Sequence, residues 1–285
     1  MGRLIVNADD FGLTAGVNRA IVELHRAGVL TSTTLMARAP AAEEAIELAR
    51  ATPALGVGCH LVLVDGEPVL SPREIPSLAD PVTGCFPATM VKFLRPLLTR
   101  RIRPLQIEAE TAAQISFLQS RGLRLTHIDT HKHVHMFPAV LRPILRAAKA
   151  AGIRAIRNPF EPRWSLRATP GAPWTRRMEV RLLRLLEPAF LRIVAEEGFV
   201  TTRGAIGVLA TGTLDALTLG PLLRALPQGT FELVTHPGYN DADLALAHTR
   251  LLGSREAEQK ALQILRQFPA IELISFAGLN GSSAR

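Results

Sequence analysis

The chain has 285 residues, 47% of them hydrophobic and 20% charged, with a net charge of +8. That length suits one large α/β barrel or two small domains, and the composition argues against disorder. No run approaches the roughly 18 apolar residues needed to span a bilayer. The opening Met-Gly-Arg-Leu-Ile-Val-Asn-Ala-Asp-Asp is too short in apolar length for a signal peptide and ends in two acids. Cys59 and Cys85 make no disulfide framework, so a reducing cytoplasm is the expected compartment. The positive charge comes from arginine, since Lys92, Lys132, Lys149 and Lys260 are the only lysines. With 5% aromatics and no nucleic-acid module, nucleic acid is not an expected partner. The arginines gather in Arg95–Arg103 and Arg163–Arg203, a pattern that suits peripheral contact with an anionic membrane surface. Solvated surface arginine is the plainer account of the same pattern.

The predicted elements alternate. Leu4–Ala8 reads as a buried strand and Gly16–Ala27 as a helix ended by Gly28. A strand at Thr31–Ala37, a helix at Ala41–Ala51 and a strand at Ala54–Leu61 follow. Gln106–Arg121 is a helix, Leu123–Asp129 a strand, Ala139–Ala151 a helix and Ile153–Arg157 a strand. Later strands fall at Gly204–Leu209, Phe231–His236 and Ile271–Phe276, with helices at Arg176–Glu197, Leu214–Leu226 and Arg255–Phe268. Pro188 is expected to kink or split the helix that contains it. Strands alternating with helices imply a parallel sheet with crossovers. About eight β/α units fit the length, so a single β/α barrel over residues 1–285, distorted or incompletely closed, is the leading fold. An open doubly wound sheet is the alternative, weakened by the lack of a glycine-rich loop after the first strand. Proline-rich stretches at about 62–105 and 158–176 read as long, functional loop insertions.

Polar clusters fall where predicted strands end, at Asp9-Asp10, His60, His127–His135 and His236. In a parallel barrel those ends converge on one face. Imidazole plus carboxylate is a common ligand set for zinc or a similar divalent ion, with an open position for water. Adjacent acids on an extended backbone point apart. One of Asp9 and Asp10 can therefore ligate metal while the other reaches a bound water, as metal-assisted hydrolysis requires. Simpler readings stand beside this one. The two acids could cap the following helix, His60 could be a core histidine, the period-two histidines a solvated edge, and His236 turn chemistry. His25 and His248 read as surface residues.

Asn-Ala-Asp-Asp-Phe-Gly-Leu-Thr (7–14), Gly-Val-Gly-Cys-His-Leu (56–61), Thr-His-Ile-Asp-Thr-His-Lys-His-Val-His (126–135) and Thr-His-Pro-Gly (235–238) resemble the YdjC-like carbohydrate deacetylases. The resemblance implies a β/α barrel related to polysaccharide deacetylases. It implies one divalent metal, with zinc favoured by the donor set and magnesium, manganese or cobalt as alternatives. It implies Asp10, His60 and His131 as metal ligands, Asp9 as general base and His236 as proton donor to the leaving amine or oxyanion partner. His127 and Asp129 are implied to orient the ligands. The substrate class is an N-acetylated amino sugar. Leu-Val-Leu-Val-Asp-Gly-Glu-Pro-Val-Leu (61–70) and Arg-Asn-Pro-Phe-Glu-Pro (157–162) resemble the hopanoid-biosynthesis (HpnK-type) branch. That resemblance implies a lipid-linked N-acetylglucosamine, handled at the inner face of the membrane. A chitooligosaccharide deacetylase, a metal-dependent phosphoesterase and a non-catalytic sugar- or lipid-binding barrel are the competing functions.

Overall fold

A computed structural model describes residues 2–247 and 249–279. Its elements run β1 (Gly2–Phe11), α1 (Ala15–Arg26), β2 (Ser32–Leu35), α2 (Ala42–Arg50), β3 (Gly56–Leu61), α3 (Met90–Leu98) and α4 (Pro104–Gln119). They continue with β4 (Ile128–Thr130), α5 (Pro138–Ala150), α6 (Arg163–Ala168), α7 (Trp174–Leu183), α8 (Glu187–Glu196), β5 (Ala205–Ile206) and α9 (Ala216–Arg224). β6 (Gly229–Thr235), α10 (Ala242–Leu246), α11 (Arg255–Leu262), β7 (Glu272–Leu273) and α12 (Phe276–Leu279) complete the series.

The strand order is β4-β3-β2-β1-β6-β5, all parallel, with β7 beside the start of β1 at Arg3↔Glu272 and Leu4↔Leu273. Parallel neighbours need helical crossovers, which is why the helices form an outer layer. Beyond β4 the ladder thins to isolated bridges, Ile128↔Ile156 and Ala155↔Val200, the latter on the segment that leads into β5. The result is the expected β/α barrel, incompletely closed, but among the described residues it has six ladder strands in path order and not eight β/α units. The predicted strand 153–157 supplies only bridges, because the chain turns just after it, where the Asn158 side chain accepts from the Phe160 amide at 3.1 Å.

Alternation along β1 sorts its side chains into two environments. Leu4, Val6 and Ala8 join the main core with Ile21 and Leu24 of α1. Ile5 belongs instead to a small cluster with Ala155, Phe276 and Leu279, which places α12 beneath the interior of the barrel. Asn7 and Asp9 continue the inward row, and both are buried.

The proline-rich insertions are more ordered than their composition predicts. In 62–105, α3 forms around Pro96 with Thr89 capping it by accepting from the Lys92 amide at 3.3 Å. Glu110 of α4 accepts from the Val69 and Leu70 amides at 2.8 and 3.0 Å. The predicted helix 176–197 divides into α7, a turn at 184–186 and α8, with Pro188 in the first turn of α8. Proline there removes an amide that a helix start leaves unpaired anyway.

Candidate metal centre

Three donor atoms converge at the C-terminal ends of the strands. Asp10 Oδ1 lies 3.6 Å from His60 Nε2 and 3.5 Å from His131 Nδ1, and the two imidazole nitrogens are 3.4 Å apart. Ligands held about 2.0–2.2 Å from one tetrahedral ion sit roughly that far from each other. The donor set and its spacing therefore fit a single divalent ion. All three side chains line a cavity of about 340 Å³, as do Asp9 and His236.

Local backbone geometry creates this convergence. The β1–β2 register is irregular between Ala8 and Phe11, and Asp10 has φ 66°, a left-handed conformation that aspartate tolerates better than most residues. The two acids thus diverge because of a kink at Asp10, and not through simple strand alternation. Neither caps α1, whose N-terminus is held by the Thr14 side chain accepting from Val17 N at 3.2 Å. Asn18 of α1 ties down the intervening loop by accepting from Gly12 N at 2.7 Å. His60 and Asp129 are register partners across β3 and β4, so their side chains share a face. Asp129 Oδ1 accepts from His60 Nδ1 at 2.7 Å, leaving Nε2 free to face Asp10.

The histidine-rich segment does not behave as one alternating edge. β4 ends at Thr130, and Lys132 and His133 turn the chain through left-handed conformations. His131 faces the donor cluster, and His133 lines the cavity. His135 is buried between Thr130 Oγ1 at 2.7 Å and the Arg157 carbonyl at 3.2 Å. His127 does not touch the three donors. It stacks on Phe276 and reaches Asn7 Oδ1 at 3.2 Å, and Asn7 Nδ2 donates to Asp9 Oδ1 at 3.0 Å. His127 therefore bears on Asp9, and Asp129 bears on His60. His25 is half-buried against the Leu30 carbonyl, and His248 lies outside the described residues.

Two buried arginines complete the electrostatics, and neither was singled out by its residue type in sequence. Arg157 donates to both oxygens of Asp9, at 2.7 and 2.6 Å, and contacts Asp129 Oδ2 at 2.5 Å and Glu232 Oε1 at 2.6 Å. Its position at the end of a predicted strand, with other polar strand ends, was the available signal. Arg255 of α11 donates to Asp10 Oδ2 at 2.7 Å, leaving Oδ1 for the donor cluster. Nothing in a helix-start arginine announces that role. Burial raises the Asp9 carboxyl, but Arg157, His60 and His236 outweigh it and hold the group far below the usual carboxylate range. Asp10 is likewise held low against its burial, chiefly by Arg255 and His131. His60 is pushed up to about 9, against burial, by Asp129, Asp9 and Asp10. His236 is raised against its burial by Glu258 and the two aspartates, and its Nε2 lies 3.8 Å from Asp9 Oδ2.

Fold and site together define a parallel β/α barrel with a carboxylate–histidine donor cluster at its C-terminal face. The chain belongs to the YdjC-like family, whose model matches residues 3–267. It is 34% identical to a Brevibacillus brevis protein named carbohydrate deacetylase, over 97% of this chain and 99% of that one. It is 43% identical to a Salmonella paratyphi B chitooligosaccharide deacetylase, over 53% of this chain and 57% of that protein. Among solved structures, an Enterococcus faecalis V583 protein described as a candidate cellobiose-phosphate cleavage protein aligns over 98% of both chains, with TM-score 0.78 and 26% identity.

Proposed function

We propose that the protein is a metal-dependent hydrolase that removes the acetyl group from an N-acetylated amino sugar. The observation that carries this reading is the Asp10–His60–His131 donor set, spaced for one ion and facing a cavity that also holds Asp9 and His236. Relatives named as carbohydrate and chitooligosaccharide deacetylases support it. A bound divalent ion, zinc being the best match to these donors, would polarise the acetamide carbonyl and lower the pKa of a water.

The chain's own residues would do the rest. Asp9 takes a proton from the attacking water as its oxygen bonds to the carbonyl carbon. Arg157 keeps Asp9 ionised and fixed by a bidentate contact. Asp9 is a weak base in that grip and passes the proton on only after His236, 3.8 Å away and with raised proton affinity, has given up its own. His236 enters the cycle protonated and gives its proton to the amine nitrogen as the C–N bond breaks. Acetate and a free amino sugar leave, and the proton taken from water restores His236. A phosphoesterase with two metals gains no support, because Arg157 occupies the second acid cluster formed by Asp9 and Asp129.

The finer substrate we infer is an N-acetylglucosaminyl lipid of the hopanoid type, taken up at the inner face of the membrane. Met90, Leu94, Met136, Phe137, Val180 and Leu183 give the cavity an apolar wall beside the polar centre, as a sugar joined to an apolar aglycone requires. The test is acetate release by metal-stripped and zinc-loaded protein from such a lipid and from diacetylchitobiose. Zinc-dependent release from the lipid alone is expected. Release from diacetylchitobiose alone would keep the deacetylase and remove the lipid, and release from neither would remove both. Asp9→Asn should retain metal and lose about 10²–10⁴-fold in turnover; normal turnover would rule out Asp9 as the base.

A further inference from the structure

Both α3 and α7 line the cavity, the first with Met90 and Leu94 and the second with Val180 and Leu183. The exposed faces of these helices carry large apolar side chains among the polar ones. On α7 and the turn after it, Trp174, Met178, Leu182 and Leu185 follow one another at helical spacing, and they are 76%, 44%, 60% and 76% exposed. Val91 and Leu98, about two helical turns apart on α3, are 76% and 73% exposed. Single exposed leucines are ordinary, but a contiguous stripe marks a contact surface.

Charge identifies the partner. Lys92, Arg95, Arg100, Arg101 and Arg103 are all exposed on and after α3, and no acidic residue lies between Asp80 and Glu108. Arg181 stands exposed beside the α7 stripe. By contrast Arg176, Arg184 and Arg192 are each met by a glutamate. A second copy of the chain fits poorly, because a two-fold contact would bring these like charges together. Among the described residues no helix is long and apolar enough to cross a membrane, so any attachment through these helices is to a surface.

We propose that this rim docks on an anionic phospholipid bilayer. Trp174, Leu182 and Leu185 enter the interface, and Lys92, Arg95, Arg100, Arg101 and Arg103 lie among the headgroups, so that the cavity opens toward the lipid. A helix with an apolar stripe, a tryptophan and flanking cations is the form that lies in such an interface. The proposal deepens the lipid-linked reading of the substrate and rests on it for its purpose, although vesicle binding requires no turnover.

The full chain would be sedimented with vesicles of phosphatidylcholine alone and of equal parts phosphatidylcholine and phosphatidylglycerol. Binding to the anionic vesicles, weakened by salt, is expected, together with quenching of Trp174 by brominated acyl chains. Trp164, the other tryptophan, packs edge-on against Phe231 and should be protected. Leu182→Glu with Leu185→Glu should weaken vesicle binding by about tenfold or more. The double variant should bind zinc and unfold in urea as the parent does, which shows that it is folded. Equal binding by the variant and the parent, no binding of the parent to anionic vesicles, or a dimer in solution that the variant dissociates would each overturn the proposal. Vesicle binding without deacetylation of either substrate would remove the deacetylase reading and leave the docking surface standing.

Discussion

Arg157 sends its guanidinium into the barrel interior, where Asp9, Asp129 and Glu232 surround it. Burial opposes its charge, yet the three acids hold it protonated well above the ordinary arginine range. Glu232 shows the cost of crowding: burial pushes it up to about 7 despite the arginine. Removing the cation would leave acids buried without compensation, so Arg157→Met is expected to lose about 3–5 kcal/mol of stability in urea unfolding. An unchanged midpoint would show that Asp9 and Asp129 have other support. Asp129 acts on a smaller scale, by fixing the ring of His60 and the tautomer that leaves Nε2 free. Asp129→Asn should weaken zinc binding by about 10–100-fold in a chelator competition while leaving the fold intact.

The elements were legible where the signal was local. α1, α2 and α5 fall within a residue or two of their predicted bounds, because each has a periodic apolar face and a glycine or threonine marking an end. Polar strand ends pointed to the region of Asp10, His60 and His131, which the structure brings together, but residue type and position alone left Asp9 and Asp10 interchangeable, and only the family resemblance implied this donor set. What the sequence hid was non-local. α3 lay within a proline-rich stretch whose order comes from contacts with α4, and the thin pairing around residues 153–157 depends on partners far along the chain. Arg255 reaches Asp10 across 245 positions, a distance at which spacing carries no information. Gly58 on β3 is a related case. A β-carbon there would lie 2.5 Å from the His127 ring, and that ring is clamped between Phe276 and Asn7. Gly58→Ala is therefore expected to cost about 1–3 kcal/mol in unfolding experiments through overpacking. It should also lower turnover, because His127 acts on Asp9 through Asn7. A variant as stable as the parent would mean that the His127 ring can move aside.

At the scale of the whole molecule, the histidines set opposing limits on stability as pH changes. His127 and His133 are held well below the ordinary histidine value of 6.5 by burial, and His135 is held down to about 3. Their unfolded forms take up protons below about 6.5 while the folded forms do not, so stability falls as pH drops from there toward 3. His60 has the opposite sign. Its folded value is raised from 6.5 to about 9, so its contribution is complete below 6.5 and is lost as pH rises through 9. His236 shifts in the same direction. The metal-free protein should therefore be most stable near pH 6.5 and weaken on both sides. Zinc changes only the alkaline limb, because it binds neutral His60 and releases the proton that the free site holds. Zinc affinity should accordingly rise with pH up to about 9, offsetting the alkaline loss, while the acid limb stays because the ligands protonate there. Urea midpoints across this pH range, with chelator and with zinc, would check this. A zinc-loaded curve parallel to the metal-free one would show that His60 does not exchange its proton for the ion.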